Sequence, residues 1–244
     1  MQADAAVLGT PVATNAELLD RLTAIDQAFP ASDGIACFNR MYRLVIESVQ
    51  AHVATGFFGD PVWMGRLDLV FANLYLKALP GPEAAEPPRA WAPLVDSRSD
   101  QRVLPLQFAL AGMNAHINHD LPVAVVATSA ELGTSPAAGT HQADFERVNR
   151  LLAAQEPIIR QSFSDALLND LDRTAPGLQD VVANFSMARA RQTAWANAET
   201  IWALRQASPA LETSFLDGLD HLVGFASRGL LVPLRPNLPT GPMM

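Results

Sequence analysis

The sequence predicts an all-α fold, a single-domain bundle of roughly seven to eight helices around one buried central helix. Three observations predict it. Apolar residues recur at spacings of three and four almost throughout, while alternating, strand-like runs are scarce. Helix starts carry their usual signals, Asp60–Pro61 the clearest, with Asp as N-cap and Pro at the first helical position. One segment in the middle of the chain is apolar on both flanks, as a helix enclosed by other helices must be.

Taken in order, the spacing predicts a first helix near Asn15–Ala28, a second near Ile35–Ala54 and a third from Pro61 to about Leu79. Six prolines fall between Pro80 and Pro105, both included, so residues 80–105 read as a long structured loop of the kind that often covers a site. The central helix follows near Leu106–Asp120 and continues past Pro122 to about Glu131; Gly133–Gly139 is a turn. Long helices are expected at Ala143–Leu171, interrupted by Pro157, at Leu178–Gln206 and at Leu211–Ser227. The chain from about 228 to 244 reads as an extended, Pro-rich tail. No repeat or linker divides residues 1–244 into two cores.

Composition narrows the function classes. Apolar residues make up 49% and charged residues 17%, which provides for a large core and argues against disorder. The net charge is −8 and no Lys/Arg-rich run occurs, so neither nucleic acid nor an anionic membrane is an expected partner. No apolar run approaches a bilayer-spanning length. Cys37 is the only cysteine, and Met1–Thr10 lacks the basic and apolar regions of a signal peptide. Those features predict a cytoplasmic protein, and nothing in them opposes a homo-oligomer.

The central helix carries the densest polar grouping. At 100° per residue His116, His119 and Asp120 share one sector, and Gln107, Asn114 and Asn118 share the opposite one. Pro122 lacks the N–H that would close the helical bond to the Asn118 carbonyl, so a kink or break is expected beside His119 and Asp120. Three readings compete for the knot. Foremost is a metal site, with His116 and His119 as ligands to Fe, Zn or Mn and Asp68 or Asp120 as a further ligand or base. A haem iron on one of these histidines is a narrower version. Second is a metal-free dyad in which Asp120 orients His116 for acid–base work. Third is a purely structural polar network.

Other residues are candidate partners. Asp68 sits on the apolar face of its helix with Phe71 and Tyr75, where a bare carboxylate is costly. Arg191 lies on the stripe Asn184–Ala188–Arg191–Trp195–Ala198, either pairing Asp68 or Asp120 and stacking on Trp195, or holding an anionic substrate group. Glu156 shares a face with Asn149 and Phe163 and has Arg160 four residues on. Asn114, Asn118, Tyr75, Trp195 and Glu156 are taken as pocket-lining, and Asp217, Asp220 and His221 as surface. Serine-hydrolase, phosphate-loop and dinucleotide motifs are absent, and Cys37 sits among apolar residues as core cysteines do.

Phe71–Leu76, the run Gln107–Pro122 and the segment Asn184–Trp195 resemble a bacterial family frequent in actinobacteria, DUF5995, a domain of unknown function. The resemblance runs from about Asp33 to Arg205. It implies that His116, His119 and Asp120 are signature positions of the family and carries no ligand role or activity with them. The functional expectation therefore comes from the residues: a metal-dependent enzyme acting on a small, hydrophobic metabolite. A metal-free cyclase or isomerase, and a non-catalytic small-molecule-binding or interaction protein, are the alternatives.

Overall fold

In the computed structural model, residues 9–53, 55–80, 86–153 and 186–234 are described. They form helices joined by turns, with no strand among the described residues. The elements are α1 (Asn15–Ala28), α2 (Gly34–Val53), α3 (Pro61–Ala78), α4 (Ala92–Ser97) and α5 (Pro105–Ala115). A single π-helical turn (His116–Asp120) joins α5 to α6 (Leu121–Glu131). A helix over 141–153 is α7; α8 (Met187–Ala207) and α9 (Pro209–Leu230) complete the set.

The starts follow local chemistry. Thr14 caps α1 by accepting from the Glu17 N–H, and Asp60 caps α3 by accepting from the Trp63 N–H at 2.9 Å. Two differences from the expectation appear. The 80–105 stretch is not loop throughout, because Pro93 at a first-turn position lets α4 form where a proline costs nothing. The last helix runs three residues beyond Ser227, to Leu230, so the tail begins later than expected. Glu156, Asn184 and the Pro157 interruption lie outside the described residues.

The α5–π–α6 rod is the axis of the bundle. Residues Leu106–Ala115 are all buried, as two-sided apolarity demands. Helices α2 and α9 lie along α5, while α3 and α8 lie along α6, so each half of the rod has its own pair of covers. Gly112 makes this close packing possible: a Cβ there would stand 2.4 Å from the Phe38 ring of α2.

The rod's opposite polar stripe meets α9. Gln107 Nε2 donates to the Leu230 and Val232 carbonyls at 2.7 and 2.8 Å, and its Oε1 accepts from the Leu104 N–H. Asn114 Nδ2 donates to the Val223 carbonyl and to Ser227 Oγ, both at 3.0 Å, and Asn118 donates to Asn114 Oδ1. Asn114 and Asn118 are thus clasps for the C-terminal helix and do not line the cavity described below. Their position opposite His116 on the wheel is the reason.

A second clasp joins α7 to α3. The buried Asp144 carboxylate accepts from the Gly59 and Asp60 N–H groups, each at 2.8 Å, and from Thr140, and it pairs with Arg147. His141 stacks on Trp63 with ring centroids 4.4 Å apart. This pins the start of α7 to the start of α3.

Candidate functional site

Pro122 dictates the geometry at the knot. With no N–H at 122, the helical ladder slips by one residue and Leu121 N donates to the His116 carbonyl, five residues back. The π turn so formed holds His116, Ile117 and Asp120 inside the bundle. The expected break is therefore a local change of register, and it lies at the histidines themselves.

Asp120 is the hub. Its Oδ2 accepts from Trp91 Nε1 at 2.9 Å and faces His116 Nδ1 at 2.9 Å, and its Oδ1 faces His119 Nδ1 at 2.7 Å. Burial alone would raise the carboxyl, but the hydrogen bonds and charge of the two imidazoles override it and hold Asp120 below the usual carboxylate range. Burial drives His116 down more strongly than Asp120 lifts it, so His116 stays neutral with its proton on Nδ1. Burial also lowers His119, yet Asp120 and Asp220 outweigh it and its imidazole ends above the ordinary range.

Asp220 extends the chain outward. His119 Nε2 stands 3.5 Å from Asp220 Oδ1, and the two Asp220 oxygens accept from the Ala90 and Arg89 N–H groups at 2.8 and 3.0 Å. The expectation that Asp217, Asp220 and His221 are surface residues needs correction for Asp220, which ties α9 to the segment before α4. Asp217 and His221 are exposed, both against Arg89. Asp220 and Trp91 sit far from the knot in sequence; only a tryptophan amid prolines hinted at a buried donor.

His116 Nε2 is fully buried and has no hydrogen-bond partner among the described residues. The ring lies flat on Phe71, 3.6 Å between centroids and 4° between planes, and edge-on to Tyr42 at 4.6 Å. Phe38, Tyr75 and Trp91 complete an aromatic cage around it. Tyr75 belongs to this cage, with its hydroxyl donating to Asn39 Oδ1 at 3.2 Å, and does not reach the cavity.

One aromatic layer beyond His116, past Phe71 and Tyr42, lies a cavity of about 60 Å³ walled by α2, α3, α6, α7 and α8. Its wall is apolar (Val45, Ile46, Met64, Leu67, Leu121, Leu152) except for Tyr42, Asp68 and Arg191. Tyr42 Oη and Asp68 Oδ2 are both buried without a hydrogen-bond partner among the described residues. Burial pushes the Asp68 carboxyl up to about 7, opposed in part by the Gln50 amide. Burial likewise raises the Tyr42 hydroxyl well above its ordinary value, with the charges of Asp68 and Asp120 adding to it.

Arg191 does not pair Asp68 or Asp120. Its Nε donates to Asn149 Oδ1 and one terminal nitrogen to the Phe145 carbonyl, both at 2.8 Å, and its guanidinium lies 4.1 Å over the Phe145 ring rather than on Trp195. Burial lowers it to about 9. No carboxylate pairs it among the described residues. Trp195 itself packs between Trp63 and Phe145, away from the cavity.

The metal set was expected to be His116, His119 and Asp68. Both Nδ1 atoms turn to the same carboxylate, the two Nε2 atoms face different surroundings, and Asp68 sits a helical turn before Phe71, on the cavity side. Among the described residues no three or more His, Cys, Asp or Glu side chains come together as a ligand group.

A family model described as a family of unknown function (DUF5995) matches residues 16–233, and the chain belongs to that family. No curated protein and no solved structure gives a significant match.

Proposed function

We propose, from a family membership that brings no chemistry and from the geometry above, that the protein is a metal-free acid–base enzyme for a small carboxylic acid with an apolar body. It moves a proton within that molecule, as an isomerase or cyclase does. One observation carries the reading: Asp68 and Tyr42 each present a buried oxygen, unpartnered among the described residues, to an apolar cavity that also bears Arg191, whose charge meets no carboxylate among those residues. Buried polar groups are satisfied as a rule, so two unpartnered oxygens beside a guanidinium that pairs with no carboxylate among the described residues point to a ligand that completes them.

The roles follow from the chemistry of each group. Arg191 holds the substrate carboxylate. Asp68, with its carboxyl at about 7, takes a proton from a substrate carbon and returns it to another, a balanced step that needs no second reactant. The Tyr42 hydroxyl donates to the oxygen on which charge develops. His116 and Asp120 are positioning residues: the imidazole, fixed by its Nδ1–H, backs Phe71 and Tyr42 and sets the cavity wall. A metal-dependent mechanism is supported less well, because no three or more His, Cys, Asp or Glu side chains come together as a ligand group among the described residues.

Ligand-observed NMR with a panel of small aliphatic and alicyclic carboxylic acids tests the reading. Binding to the native protein is expected, with loss in Arg191→Met and Asp68→Asn, and deuterium from D₂O should enter the bound acid only where Asp68 is present. A panel that binds both variants as well as the native chain would sink the assignment.

A further inference from the structure

Helix α9 is pinned tightly on one side and bare on the other. Its inner face is held by the Asn114 and Gln107 clasps, and Gly224 packs so close to the 89–90 backbone that a Cβ would stand 2.3 Å from the Arg89 carbonyl oxygen. Its outer face shows Leu211 at 53%, Leu222 at 67% and Phe225 at 73% exposure, and Val232 just past its end at 57%. Four of the six large apolar side chains left exposed among the described residues are thus on one rigid stripe. Isolated exposed apolar residues are ordinary; a continuous stripe marks a contact surface.

The order of residues along that stripe says what covers it. With half-buried Phe215 it reads Leu211, Phe215, Gly218, Leu222, Phe225, Gly229, Val232, spaced by four and three. A two-fold axis beside Leu222, with a second α9 running antiparallel, sets Phe225 against Gly218 of the other copy and Phe215 against its Gly229. The same axis sets Leu211 against Val232 and Leu222 against its own equivalent. Each aromatic meets a glycine, and all these pairs share one centre to within a residue, about 1.5 Å. Gly218 and Gly229 face open space, so their small size answers to nothing within this chain's described residues. Arg228, also exposed, falls level with Asp217 of the second copy, opposite charges at the rim. A lipid surface fits less well, since the face carries no lysine and its flanks hold Glu212 and Asp217.

We infer that the protein forms a symmetric dimer through the outer face of α9, self-complementary in size about Leu222. One helix pair gives an interface at the low end of stable contacts, roughly 1,200 Å² in total, so micromolar affinity is expected, Kd on the order of 1 µM or weaker.

Sedimentation velocity of the full chain from about 1 to several hundred µM, a range set to bracket that affinity, tests it. A reversible monomer–dimer equilibrium is expected. Phe225→Asp should weaken it at least 100-fold. Gly218→Leu should do the same while leaving helicity and Tm intact, because a Cβ there meets nothing in the monomer. The exchanged pair Gly218→Phe with Phe225→Gly should dimerise again, since knob and hole have traded places. A protein monomeric throughout this range overturns the inference. So does a dimer indifferent to Phe225→Asp and Gly218→Leu, or a monomer that floats with phosphatidylcholine vesicles through Phe225.

Discussion

Asp68→Asn is the most informative single change in the cavity. The wild-type carboxyl is lifted by burial from 3.8 to about 7. That is about 3 units, and at 1.36 kcal/mol each the ionised form costs the fold ~4 kcal/mol. The sign follows from proton binding. Below pH 4 both folded and unfolded chains hold the proton and Asp68 contributes nothing. Between about 4 and 7 the unfolded chain releases it while the folded chain keeps it, so stability falls as pH rises. Above 7 the full cost is present and constant. Asparagine keeps the shape and removes the charge, though its amide donors, left without partners, return a penalty of about 1–2 kcal/mol. Urea denaturation followed by circular dichroism at pH 4.5 and pH 8 should show the variant more stable at pH 8 by ~2–3 kcal/mol, with the gain lost or reversed at pH 4.5. A difference independent of pH, or a variant less stable at pH 8, would refute the reasoning. The folded protein would then be holding the Asp68 charge against a compensating partner. A cavity group whose removal stabilises the fold is one retained at a cost, which is what a functional carboxyl looks like.

Three further outcomes follow from the same geometry. Trp91→Phe deletes one of the donors to the buried Asp120 carboxylate and should cost about 1.5–3 kcal/mol in chemical denaturation, the range for a hydrogen bond to a charged group. A loss under 0.5 kcal/mol would show Asp120 to be satisfied without it. His119, raised on folding by Asp120 and Asp220 against the pull of burial, contributes stability that is complete below its unfolded pKa and fades as pH rises through the folded one. His119→Gln should therefore flatten the decline of stability with pH in the range above about 6.5, and an unchanged slope there would contradict the pairing. Gly224→Ala drives a methyl into the Arg89 carbonyl and should destabilise by roughly 1–3 kcal/mol despite alanine's better helix propensity; a stabilised variant would mean that α9 is free to shift.

Periodicity and punctuation carry far in an all-helical chain. Asn15–Ala28 and the Asp60-capped helix can be read from the residues because their signals are local: a side-chain oxygen, a proline ring, an apolar stripe. The same holds for the break at His116–Asp120. Pro122 withholds an N–H wherever it sits, and the i, i+4 spacing brings Asp120 to His116 in any helix-like backbone. Short helix α4 is not legible in the sequence, because prolines dominate its neighbourhood and a first-turn proline has the same signature as a loop proline.

What the wheel could not supply is which face meets which neighbour. Asn114 and Asn118 are as polar as the histidines, and only the docking of α9 makes them clasps rather than cavity residues. Arg191 and Asp68 both point inward, and nothing local says that they share a cavity wall without pairing. Trp91 and Asp220 reach the knot from segments 29 and 100 residues away from Asp120 in the chain, a juxtaposition decided by packing alone. By itself the sequence determined helices α1, α2 and α3, the buried rod and the location of its polar knot, because backbone hydrogen bonding and side-chain spacing are short-range. The tertiary structure alone decided that the knot is closed on itself and that the open chemistry lies one aromatic layer away, because burial and partner choice depend on residues brought together from the whole chain.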